Sequence, residues 1–298
     1  MMKQHLNQTI SLPDGRVLGY AESGDPEGRP LFLFHGLNSS RLEVSIVHEK
    51  MKKEGIRMIG VDRPGMGLST FQEDRQIMDF VDDIVYLAES LHIDLFSVMG
   101  VSTGTPYALA CAYHIPQKIR FCGIVSGITP IFELGTEKML RENRIFIFLA
   151  QKLPYFVRPL FWFLEGRFSQ DDAKADQFLE NILGTLDNTD KRLTEDIRTK
   201  KMLLDTFREG YRQGSKGVAY DGILAFGKPW GFLLEELEFS PVYFWHGEKD
   251  LGIPVPMAKA MAEKISGAVF KVYPNEGHLS IVFDQMDSII DDLVKEYD

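Results

Sequence analysis

From Pro30 to Ser126 the chain alternates short apolar runs with segments whose apolar residues recur at helical spacing, and this alternation limits the fold more than any other feature. Pro30-Leu31-Phe32-Leu33-Phe34 reads as a strand covered on both faces, and Arg57 to Val61 as another. A helix from about Leu42 to Glu54 joins them. Ile77, Phe80, Val81, Ile84, Val85, Ala88 and Leu91 fall at helical spacing and predict an amphipathic helix. Leu95 to Met99 is the next strand, Thr105 to Tyr113 has the Ala and Leu content of a helix, and Phe121 to Ser126 is one more strand. Such alternation implies right-handed crossovers and a mainly parallel sheet, with reactive groups gathered at the strand C-terminal ends. Ahead of it, Thr9 to Leu12 and Arg16 to Ala21 flank the turn Pro13-Asp14-Gly15 and predict an antiparallel hairpin.

From Ile131 to Lys228 the alternation stops and the chain reads as helical, with an aromatic block of Phe146, Phe148, Tyr155, Phe156, Phe161, Trp162 and Phe163. Lys152, Pro154, Arg158 and Pro159 interrupt that block, so helices packed over a pocket are expected rather than a membrane-surface helix. The polar stretches Gln170 to Asp176 and Asp187 to Asp196 are expected on outer faces. The α/β pattern then returns: Val242 to Trp245 is a strand, Pro256 to Ile265 a helix, Val269 to Tyr273 a strand and Leu279 to Glu296 a closing amphipathic helix. The expected organisation is an α/β core from residues 1–130 and 229–298, with a helical cap inserted at 131–228.

A net charge of -10, from 43 acidic against 33 basic residues, argues against nucleic acid or an anionic membrane surface as partner. Met1 to Thr9 is polar where a secretory peptide needs an apolar run, and no stretch reaches membrane-spanning length, so a cytoplasmic location is expected. Cys111 and Cys122 lack CxxC spacing and lie in apolar surroundings, which indicates neither a metal site nor a disulfide. Oligomeric state has no signal in the sequence.

Gly100-Val101-Ser102-Thr103-Gly104 stands between the Leu95 to Met99 strand and the following helix, and so reads as a nucleophile elbow. A serine on so sharp a turn needs small residues two positions either side, which Gly100 and Gly104 supply. A serine nucleophile also needs a base within hydrogen-bond reach and an acid to orient that base. Asp250 follows the strand ending at Trp245, within His246-Gly247-Glu248-Lys249-Asp250. His278 follows the last strand, in Asn275-Glu276-Gly277-His278. Glu248 competes with Asp250 for the acid, whereas the region after Phe121 to Ser126 has no carboxylate before Glu133. The order Ser102, Asp250, His278 is the one described for α/β-hydrolases.

On these residues the chain resembles the capped α/β-hydrolase superfamily, and within it bacterial and plant esterase-like members. The resemblance rests on His35-Gly36, Asp62-Arg63-Pro64-Gly65-x-Gly67-x-Ser69, Gly100 to Gly104 with Pro106-Tyr107-Ala108-Leu109, His246-Gly247-x-x-Asp250 and Gly277-His278. It implies an oxyanion hole formed by the backbone N–H groups of Leu37 and Thr103, and an acyl-enzyme mechanism that needs no cofactor. The expected substrate is a small to medium, apolar ester or related acyl compound. Ser102 argues against relatives with aspartate at the elbow, and Thr103 against iminopeptidase-like relatives with Trp after the nucleophile. Carbon–carbon bond hydrolases, lactonases and perhydrolases keep the same triad, and a non-catalytic ligand-binding protein of this fold is a further alternative. His35, Asp62, Arg63, Asp221 and Trp230 are read as structural; His5, His48, His92, His114 and His246 have no partner motif.

Overall fold

The apolar runs become strands whose side chains are covered on both faces. The structure, a computed structural model, describes residues 5–137, 139–183 and 187–296, so the outermost residues of the expected core halves, 1–4 and 297–298, lie outside the described residues. β1 (His5–Ser11) and β2 (Val17–Gly24) form the hairpin, followed by β3 (Arg29–Phe34), β4 (Ile56–Val61), β5 (Phe96–Val101), β6 (Ile119–Val125), β7 (Val242–Gly247) and β8 (Val269–Tyr273). They make one sheet in the order β1-β2-β4-β3-β5-β6-β7-β8. Pairing is antiparallel for β1 with β2 and β2 with β4, and parallel from β4 to β8.

The helices are α1 (His48–Lys53), α2 (Asp79–Ser90), α3 (Thr105–His114), α4 (Ile131–Leu134), α5 (Arg141–Lys152), α6 (Val157–Phe168), α7 (Asp172–Leu183), α8 (Asn188–Lys191), α9 (Ile197–Gly210), α10 (Ser215–Gly227), α11 (Val255–Ala262), α12 (Ser280–Asp284) and α13 (Met286–Lys295). Alternate residues of β3 feed opposite cores, as the pleat requires. Leu31 and Leu33 pack with Met51 of α1 and Ile289 and Leu293 of α13. Phe32 and Phe34 pack with α2, α3 and the segment running from α4 to α10.

After β3 the chain moves to one side, to β4, and it then returns past β3 to β5. The order reverses there, which opens a crevice at the C-terminal ends of β3 and β5. Phe34 pairs with Gly100, so the His35-Gly36-Leu37 turn lies beside Val101 and Ser102.

Four expectations are corrected. The Leu42 to Glu54 helix is a 3-10 turn, Arg41–Val47, followed by α1; Val47 (φ -125, ψ 22) separates them. The closing helix breaks at Gln285, whose side chain turns back to donate to Glu276. Of the aromatic block, Phe146 and Phe161 pack inward against each other and Phe146 against Phe226, but Phe148, Tyr155, Phe156, Trp162 and Phe163 are exposed, because only one flank of α5 and α6 faces α10. Asp190, expected on an outer face, is buried, because backbone N–H groups of the core supply it with partners.

Candidate active site

Ser102 directly follows β5 with φ +51, a left-handed conformation that a non-glycine residue adopts only where its surroundings impose it. The surroundings do so by close approach. A Cβ on Gly104 would lie 1.9 Å from the Phe34 carbonyl oxygen, and one on Gly100 would lie 2.6 Å from that of Gly104. The turn then enters α3, where the Thr105 hydroxyl donates to the Ser102 carbonyl at 2.6 Å.

The loops after β7 and β8 bring the two other expected residues to this turn. Gly247 and Tyr273 pair at the strand ends, and Lys249 N–H donates to the Glu276 carbonyl at 2.9 Å, so the two loops are tied side by side. His278 Nε2 is 2.9 Å from Ser102 Oγ, and its Nδ1 is 2.7 Å from Asp250 Oδ2. A carboxylate can only accept, so Nδ1 carries the proton and Nε2 is free to accept one from Ser102. Asp250 Oδ1 takes the N–H groups of Gly252 and Ile253 at 2.8 and 2.9 Å, which fixes the carboxylate plane. Glu248 is not part of this chain of contacts. His246, expected to have no role, lies 3.2 Å from Asp250 and also meets the Ile253 carbonyl at 2.7 Å.

Burial by itself would raise the Asp250 carboxyl and lower the His278 imidazole. The charge and hydrogen bond each gives the other outweigh burial, with His246 adding to the first and Asp190 to the second. Asp250 is therefore held far below the usual carboxylate range, and His278 above the ordinary imidazole value.

Leu37 follows the His35-Gly36 turn, and its N–H makes no hydrogen bond among the described residues. Arg63 braces this turn: its guanidinium donates to the carbonyls of His35 and Gly36 and to Thr103 Oγ1 at 3.2 Å. The Thr103 side chain is thereby turned toward Arg63. His35 is fully buried, and burial followed by the Arg63 charge pushes its imidazole well down, so it stays neutral, with Nδ1 donating to the Gly36 carbonyl at 2.8 Å.

Two features had no sequence signal, and a third, Asp221, reads as structural in the sequence but without its partners. Glu43 accepts from Gly36 N–H at 3.2 Å, while its second carboxyl oxygen is buried without a hydrogen bond; burial pushes this carboxyl up. Asp190 on α8 accepts from the consecutive N–H groups of His278, Leu279 and Ser280 at 3.0, 2.9 and 2.8 Å. Asp221 on α10 lies 2.8 Å from Arg63 and 2.9 Å from Arg75, all three fully buried. The contacts of Asp190 and Asp221 join distant parts of the chain, and that of Glu43 depends on the 3-10 turn that holds it beside Gly36, so no local pattern marks them.

Two cavities open on Ser102. One, of about 180 Å³, runs between Leu37, Glu43, Met202, Phe207 and Val282. The other, of about 130 Å³, lies below Asn143, Phe146, Ile147 and Phe226. Both linings are largely apolar. Among the described residues no group of three or more His, Cys, Asp or Glu is arranged to hold a metal ion, and no helix is long and apolar enough to cross a membrane.

Comparison with known proteins gives a family model described as the alpha/beta hydrolase fold, matched over residues 29–285. A bifunctional esterase/perhydrolase of Acinetobacter calcoaceticus is 26% identical over 278 residues, covering 90% of this chain and 92% of that protein. Among solved structures, an esterase of Exiguobacterium antarcticum superposes with a TM-score of 0.67 at 18% identity, over 97% of this chain and 99% of that one. A carboxylesterase structure from the thaumarchaeon Nitrososphaera gargenis gives 0.67 at 18% identity, over 97% of both chains.

Proposed function

Because the chain belongs to the α/β-hydrolase fold family, we propose that it is a serine hydrolase cleaving a small to medium, apolar carboxylic ester through an acyl-enzyme. The observation that carries this reading is the unbroken path from Ser102 Oγ through both nitrogens of His278 to Asp250. Ser102 attacks the ester carbonyl as His278 Nε2 takes its proton, and Asp250 stabilises the imidazolium that forms. The N–H groups of Leu37 and Thr103 hold the oxyanion. Collapse breaks the bond to the alcohol, which leaves with the proton from His278; water, deprotonated by the same nitrogen, then releases the acid and restores Ser102. The two cavities at Ser102 suit an acyl and an alcohol arm, one on each side, and residues 131–228 act as the cap that closes over them.

The name of the Acinetobacter relative favours a second use of the same acyl-enzyme, its transfer to hydrogen peroxide to give a peracid. Peracid formation with a soluble ester and added peroxide tests that reading.

The first test is a fluorophosphonate probe read by intact mass. One adduct is expected on the parent and none on Ser102→Ala, whose kcat on soluble esters should fall by on the order of 10⁶ if the three residues act as a unit. A folded parent that takes no label and cleaves no ester would overturn the proposal in favour of a ligand-binding role.

A further inference from the structure

α5 and α6 both rest on α10: Phe146 and Phe161 lie against Gly222, and Gly227 sits against the Ala150 carbonyl. Apart from the contacts of α6 with α7 and α9, among them Phe163 edge-on to Phe178, the flanks turned away from α10 carry exposed residues. On α5 that flank carries Arg141, Ile145, Phe148 and Lys152, spaced as one stripe of a helix, and all four are exposed. The connecting turn and α6 continue the surface with Tyr155 at 90% exposure, Phe156 at 62%, Trp162 at 70% and Phe163 at 55%. So many large apolar side chains exposed along two adjoining helices and the turn between them mark a surface that meets something.

The charge on this face is opposite to that of the chain. Between Leu140 and Phe168 five basic residues stand against two acidic ones, in a chain of net charge -10. Arg141, Arg144, Lys152 and Arg158 are exposed and have no ion-pair partner among the described residues. Charges farther off than the Debye length, about 8 Å at physiological salt, are largely screened, so an approaching surface meets the local sign.

We propose that this face docks on a lipid bilayer surface bearing anionic headgroups. Trp162, Tyr155 and the phenylalanines enter the headgroup boundary, and the four cations pair with the headgroups. The whole-chain charge that argues against an anionic membrane is thus overridden locally. A second copy of the chain fits less well, since a two-fold contact would bring two net-cationic stretches together. The face also backs the candidate site: Ile147 walls both the outer groove with Arg144 and Phe148 and the inner cavity at Ser102.

The test uses the full chain with vesicles of phosphatidylcholine alone and of phosphatidylcholine mixed with phosphatidylglycerol. Trp230 and Trp245 are buried, so of the three tryptophans only Trp162 can report, and its emission should shift to the blue on the mixed vesicles as the protein cosediments with them. A Trp162→Ser/Phe163→Ser variant should lose binding while keeping the circular dichroism of the parent. Reversing Arg141, Arg144 and Lys152 to Glu should weaken binding to the mixed vesicles by on the order of 100-fold. The proposal is overturned if the folded parent does not cosediment with mixed vesicles, or if binding is indifferent to these substitutions. It is equally overturned if sedimentation equilibrium shows a dimer that the Trp162/Phe163 variant abolishes, which would give the face to a second copy.

Discussion

At the scale of single residues, the proposed base His278 with its partner Asp250 predicts a pH dependence of definite sign. A base acts when neutral, so kcat/KM should rise with pH through the pKa of His278, which the Asp250 charge raises above the ordinary imidazole value against the opposing effect of burial. Asp250→Asn removes that charge and leaves burial. The acidic limb should therefore move to lower pH while kcat falls by on the order of 10⁴, because the tautomer with Nδ1 protonated is no longer enforced. Full pH–rate profiles of both proteins check this, and an unmoved limb would show that Asp250 does not set the imidazole. These residues were legible because each sits in a short motif beside a strand end. Glu43 was not, since its place beside Gly36 depends on a tight 3-10 turn that periodicity reads as an ordinary helix.

Elements were legible where a run of apolar residues had to be covered from two sides, as in β3 and β5, and less so where two elements meet. α8 illustrates the difference. Its four residues look like a polar surface turn, yet Asp190 is 1% exposed and takes three successive N–H groups at the loop that carries His278. In that position it clamps the loop backbone and adds negative charge near the imidazole. Asp190→Ala leaves those donors without their acceptor and should cost about 3 kcal/mol of stability. It should also lower kcat by on the order of 10-fold or more, as a small displacement of His278 suffices for that. Asp190→Asn, which keeps one acceptor oxygen, should recover part of the stability but not the charge, so its acidic limb should still lie below that of the parent. Chemical denaturation beside pH–rate profiles separates the two effects; a stability loss with kcat and limb both unchanged would reduce Asp190 to a structural anchor.

At the scale of the whole molecule the 131–228 segment shares an apolar cluster with the sheet, and beside it lies a buried ion cluster on which the composition was silent, because its members come from distant parts of the chain. Asp221 on α10 meets Arg63 and Arg75 and takes the Tyr107 hydroxyl at 2.6 Å, while Arg63 in turn holds the His35-Gly36 turn. Burial opposes ionisation of Asp221, but the charges of Arg63 and then Arg75 prevail and bring its carboxyl down to about 2. Its folded pKa lies below the ordinary carboxylate value, so its contribution to stability is fully present above about pH 4 and is lost as pH falls toward about 2. Asp221→Asn leaves two buried guanidinium groups facing a neutral amide and should cost about 3–5 kcal/mol at neutral pH. Urea denaturation across pH should show this difference constant from neutrality down to about pH 4 and shrinking below it, as the parent's own carboxyl protonates. Because Arg63 also positions the turn bearing Leu37, the variant should lose kcat even under conditions where it remains fully folded. A variant that is destabilised but turns over at the parental rate would mean that the sheet alone holds the His35-Gly36 turn, and that the helical segment is fastened to the core without acting through it.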